Sequence, residues 1–200
     1  PVHNGHVQSA LNARQQLLDA GYNVERVVVS PSGRKLLEAK LGPDAMSVED
    51  RAEIARLSFE GFEGFEVAEG PANEADNFTG KLKRTMLADW AQREYPNATV
   101  INLTGEDAAP GSPPGFPSVY EGDAGTSHEG YYYLAVPRDE GESGLSSSKV
   151  RKAIKEGKGV PAGFMNEAAE ARYLQMMGAT PRARQSRAEG SANVTAIMAG

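Results

Sequence analysis

Two stretches decide how this chain is read: "PVHNGHV" at residues 1–7 and "NVTAIMAG" at residues 193–200. In the first, two imidazoles flank a glycine just ahead of an amphipathic helix. The first turn of a helix leaves backbone N–H groups unpaired, and a glycine there lets the backbone come close to an anion. The second is a short apolar, partly β-branched run that ends in glycine, and it reads as a buried strand. A strand, a glycine and a helix start in succession make a phosphate-binding turn. Here the strand half lies at one end of the sequence and the helix half at the other.

Working outward from residues 1–7, the segment "VQSALNARQQLLDA" (7–20) places Val7, Ala10, Leu11, Leu17 and Leu18 on one face and stops at Gly21. "VERVVVS" (24–30) is predicted to be a buried strand. "SVEDRAEIARLSFEG" (47–61) opens on Ser47 with Asp50 three residues later, a helix start of the capping-box kind. "FEVAEG" (65–70) reads as a strand, "GKLKRTMLADWAQREYP" (80–96) as a helix and "TVINLTG" (99–105) as a buried strand. Residues 108–129 are rich in Gly and Pro without periodicity, the mark of a long functional loop. "YYYLAV" (131–136) is a strand whose tyrosines alternate across it, so at least one packs inside; two further helices follow in 146–157 and 166–178. Strands alternating with helices indicate an α/β fold with a mainly parallel, doubly wound, Rossmann-like sheet.

Composition narrows the function. A net charge of −6 argues against a general nucleic-acid or membrane-surface binder, while leaving room for a local basic pocket. With no cysteine, thiol catalysis, disulfides and zinc thiolate sites are excluded. No apolar run approaches membrane-spanning length and no secretory signal is visible, so a cytoplasmic protein is expected.

A second motif, "LSSSKVRKAI" (145–154), sets three serines before a helix whose first turns carry Lys149, Arg151 and Lys152. Hydroxyls, free N–H groups and cations on one helix end suit a polyphosphate. Taken alone, a serine cap ahead of a solvated basic face explains it more simply. Together the two motifs carry a definite likeness. "PVHNGH" resembles the second half of the G-x-F-[DN]-P-x-H-x-G-H signature of the nucleotidylyltransferase superfamily, and "LSSSKVR" resembles its I-S-S-T-x-I-R signature, with Ser148 in the place of the threonine. The histidine at position 3 is similar to the bacterial nicotinate-mononucleotide adenylyltransferases. "VVVSPSGRK", "SVEDRAEIARLSFEG", "NFTGKLKRTMLADWAQREYP", "INLTGED" and "YYYLAVPRDEG" resemble successive segments of that family, so the likeness runs over about residues 1–175. The family's tryptophan-containing helix after G-x-D is replaced here by the loop 108–129.

The resemblance implies attack by a mononucleotide phosphate oxygen on the α-phosphorus of ATP, forming a dinucleotide and pyrophosphate with Mg²⁺ as helper and no metal held by protein side chains alone. His3 and His6 would be the catalytic pair, His6 nearest the transferring phosphorus. Asn4, Gly5, Gly105, Asp107, Ser147, Ser148 and Arg151 would complete the ATP site. Lys35 (or Arg34), with Phe78 and Thr79, would bind the acceptor, nicotinate or nicotinamide mononucleotide. Arg51 reads as a structural ion-pair partner and Trp90 as core packing.

The resemblance also joins the two ends. Residues 1–177 form the nucleotidylyltransferase domain, 178–192 a linker, and 193–199 the strand that stands first in the family, a circularly permuted order with Gly200 beside Pro1. Two rivals stay open: transfer to another phosphorylated acceptor such as phosphopantetheine or glycerol phosphate, and a non-catalytic nucleotide-binding module of the same fold. Small-molecule nucleotides are the expected partners, and oligomeric state is not legible.

Overall fold

The computed structural model describes residues 1–42, 45–77, 84–105, 119–136 and 145–178. Expectations for 193–199, for the linker beyond Gly178, for the proximity of Gly200 to Pro1, and for Phe78, Thr79 and Asp107 lie outside these residues. The described chain is a mixed α/β structure: α1 (Asn4–Asp19), β1 (Val27–Val29), α2 (Arg34–Leu41), α3 (Val48–Ser58), β2 (Phe65–Val67), α4 (Gly70–Asp76), α5 (Arg84–Glu94), β3 (Ile101–Gly105), β4 (Tyr120–Glu121), β5 (Tyr132–Val136), α6 (Ser147–Lys155) and α7 (Glu167–Met176).

The described strands form two small sheets. β1 pairs in parallel with β2, with Val27 opposite Phe65 and Val29 opposite Val67. β3 pairs in parallel with β5, from Ile101 opposite Tyr132 to Gly105 opposite Val136, and β4 adds an antiparallel edge at Tyr120 and Glu121. β5 is buried from Tyr133 to Val136, as a strand covered on both faces must be. One face carries Leu134 and Val136 with Ile101 and Leu103, packed against Ala13 and Leu17 of α1. Side chains alternate along a strand, so Asn102, Thr104 and Tyr133 face the other way, toward the α5 side. A second cluster joins Ile54 of α3, Val150 of α6, and Phe164, Met165, Ala169 and Tyr173 of the α7 region.

Several sequence expectations change in detail. β1 covers only Val27–Val29 of the expected 24–30. α2 and α4 were not foreseen. Part of the supposed loop 108–129 is β4, where Tyr120 stacks on the buried Tyr133 at 5.8 Å between ring centroids. His128 Nδ1 lies 2.7 Å from the Tyr133 hydroxyl, so the third histidine has a packing role. Tyr132 is exposed and Tyr133 fully buried, as the alternation required. Trp90 is half-buried and lies over Gly70, where a methyl group would sit 2.6 Å from its indole nitrogen.

Candidate functional site

The helix after residues 1–3 begins earlier than its apolar periodicity suggests, at Asn4, with His3 as the extended N-cap residue. The cause is local. The His6 amide donates to the His3 carbonyl at 2.8 Å, and the His3 amide donates to His6 Nδ1 at 3.3 Å. The motif therefore forms the first turn of α1 instead of preceding it. Gly5 is required by close packing: an added Cβ would lie 3.1 Å from the His3 ring and 3.3 Å from Cβ of Leu145.

The two imidazoles lie with centroids 3.8 Å apart, tilted by 38°. They differ sharply in setting. His3 is buried and its Nδ1 has no hydrogen-bond partner among the described residues, whereas His6 is exposed. Burial, helped by the neighbouring His6, pulls the His3 pKa down to about 4, so its ring is neutral at pH 7.

The second motif arrives at the same place. Ser146 caps α6 by accepting the Lys149 amide at 3.2 Å. The Ser147 hydroxyl donates to the Pro1 carbonyl at 2.7 Å, tying the start of α6 to the segment that carries His3. Arg151 folds back along its helix and donates to the Ser148 hydroxyl at 3.0 Å. Leu145 touches the Gly5 position. The N-terminal turns of α1 and α6 thus meet, and His3, Gly5, His6, Ser147, Ser148 and Arg151 form one neighbourhood from segments about 140 residues apart.

Other expected residues fall differently. Asn4 is spent on structure: its backbone amide donates to the Phe164 carbonyl at 2.7 Å and its side chain to Gly163 at 2.8 Å. Gly105 ends β3 opposite Val136, at the carboxyl edge of the parallel pair. Lys35 is exposed on α2 and no described contact joins it to the histidines. The amides of Arg34 and Lys35 are capped by the two carboxylate oxygens of Asp76, at 2.8 and 3.0 Å, and the Arg34 side chain pairs with Glu38 at 2.6 Å. A carboxylate therefore already occupies that helix start.

Arg51 is structural, but through carbonyls and without the expected acidic partner. Its Nε donates to the carbonyls of Met46 and Ser47 at 3.2 and 3.0 Å, and Nη1 donates to that of Ser32. It pins the turn after β1 to the start of α3. Burial holds its pKa below the usual arginine value. Sequence reasoning also missed residues 163–164, which receive the first turn of α1; a Gly-Phe pair ahead of a helix carries no signal of such a role.

Among the described residues no group of three or more His, Asp or Glu side chains is placed to hold a metal ion, and no helix is long and apolar enough to cross a membrane. Comparison with protein-family models and with curated proteins finds no match.

Proposed function

We propose that this chain is a nucleotidylyltransferase that joins the adenylyl group of ATP to a pyridine mononucleotide, giving a dinucleotide and pyrophosphate. One observation carries the reading: the first turns of α1 and α6 meet, and each brings the groups a polyphosphate needs. Unpaired helix N–H groups, serine hydroxyls and a guanidinium attract anionic oxygens, and imidazoles can donate to a phosphoryl oxygen as charge builds on it. The parallel strand pairs are compatible with a doubly wound sheet, in which ligands bind beyond the carboxyl ends of the strands.

In this scheme an acceptor phosphate oxygen forms a bond to the α-phosphorus of ATP while the bond to the bridging oxygen breaks and pyrophosphate leaves. The exposed His6 donates a hydrogen bond to the α-phosphoryl group. His3, neutral and buried, fixes the orientation of His6 and offers its unpaired nitrogen to the same phosphate chain. Ser147, Ser148 and Arg151 hold the β- and γ-phosphates and stabilise the departing pyrophosphate. The donor set at the meeting point holds imidazoles, hydroxyls and a guanidinium, without a carboxylate cage for a hard cation. Mg²⁺ accordingly enters as part of the MgATP substrate. Positioning and charge stabilisation supply the rate, with no covalent enzyme intermediate.

The test is a panel of phosphorylated acceptors (nicotinate and nicotinamide mononucleotides, phosphopantetheine, glycerol phosphate) with ATP or CTP and Mg²⁺, scored by pyrophosphate release. Turnover with ATP and a pyridine mononucleotide is expected. His6→Ala should lower kcat by about 100-fold or more while leaving the KM for ATP nearly unchanged. Turnover only with another acceptor would replace the acceptor assignment. ATP binding without product from any acceptor would replace the enzyme reading with a binding module.

A further inference from the structure

A cleft of about 470 Å³ lies between the two sheets, and its four walls are specific. Residues 24–28, leading into and along β1, form one edge, and residues 99–103 of β3 and its approach form the other. Leu17 of α1 closes one face, and Leu87, Ala88 and Ala91 of α5 close the opposite one. Both edges belong to strands already paired on their far sides, β1 with β2 and β3 with β5. Val27 donates to Gly64 at 2.7 Å and Val29 accepts from Ala68 at 2.9 Å. Backbone groups alternate along a strand, so the N–H and C=O of Val28, between them, point away from β2. Two parallel edges, one helix on each face and outward-pointing backbone groups describe the walls of a missing central strand. Among the described residues none lies there.

We infer that residues 193–199 of this chain occupy the cleft as a strand parallel to β1 and β3, uniting the strands in the order β2, β1, 193–199, β3, β5, β4. The sequence outside the described residues limits the choice of occupant. Residues 106–118 and 137–144 are interrupted by Pro, Gly and charge, and 78–83 carry two lysines and a glycine. Residues 194–199, "VTAIMA", form the continuous uncharged run that a strand covered on both faces requires. Val194, Ala196 and Met198 would meet one helix layer, and Thr195, Ile197 and Ala199 the other. Reach is sufficient. The fourteen residues 179–192 between the described end of the chain and this run span up to roughly 46 Å when extended. A 200-residue domain has a radius of gyration of only about 16 Å. Running parallel to its neighbours, the strand would finish at the sheet edge where β3 ends. The inference rests on the walls of the cleft and stands whether or not the chain transfers a nucleotidyl group.

Amide hydrogen exchange on the full chain tests it. The amides of 194–198 should exchange about 100-fold or more slowly than unstructured peptide, and Ile197→Asp should release them together with the amide of Val28. Because the chain has no cysteine, a nitroxide attached to Ala199→Cys can report direction. It should broaden the amides at the carboxyl ends of β1 and β3, Val29 and Gly105, ahead of those at 24 and 99. Unprotected amides in 194–198, or broadening at the opposite ends, would overturn the inference. Broadening seen only between labelled and unlabelled copies in a dimer would overturn it in favour of strand exchange between chains.

Discussion

His3 carries two demands on one side chain: it must cap and pack the start of α1, and it must face a site expected to hold phosphate. Burial keeps the ring neutral at neutral pH and gives the residue a defined pH signature. In the unfolded chain the ring titrates near its ordinary value of about 6.5, and in the folded chain near 4. Below 6.5 the unfolded chain gains a proton that the folded chain refuses until about 4. The stability contribution is therefore complete above 6.5, declines as pH falls from 6.5 to 4, and is flat below that. The shift corresponds to roughly 3 kcal/mol. Urea unfolding of wild type and His3→Gln across this window should show that decline only in wild type, and parallel profiles would refute the buried neutral ring. The histidine pair was legible in the sequence because two imidazoles around a glycine before a helix are uncommon chemistry. Arg51 was half legible. Its structural nature followed from its helix, but its carbonyl partners, one of them nineteen residues away at Ser32, are set by tertiary packing.

The long elements were readable and the short ones were not. α1, α3, α5, α6 and α7 announced themselves by apolar spacing and by caps such as Ser47, whose hydroxyl accepts the Asp50 amide at 3.0 Å. α2 and α4, of eight and seven residues, bury too little apolar surface to leave a pattern. They hold each other: Asp76 at the end of α4 caps the start of α2. Such a cap, made across more than forty residues, cannot be seen in local sequence. Asp76→Ala should cost about 1 kcal/mol of stability, and Asp76→Asn less, since one amide oxygen still accepts. Equal unfolding midpoints for all three proteins would show that the cap contributes nothing. Because that carboxylate already satisfies the start of α2, the expectation of a phosphate held there by Lys35 finds no support in the geometry. The starts of α1 and α6 are the ones left facing each other.

At the scale of the molecule, the α/β class and the parallel pairing follow from alternating strands and helices, while the sheet order does not. Pairing order depends on contacts between distant segments, and here it hinges on how the two sheets are joined. The histidine and serine motifs likewise gain meaning only from the fold. Each alone reads as an ordinary helix start; their convergence through Ser147 and Leu145 makes one site from two. That convergence is the central claim, and a titration of MgATP into the isotope-labelled chain, followed by amide NMR, tests it most directly. The amides of residues 4–7 and 147–150 should shift together along one saturation curve with a single Kd. Shifts confined to one helix start, two unrelated curves, or no response at either end would contradict a shared polyphosphate site.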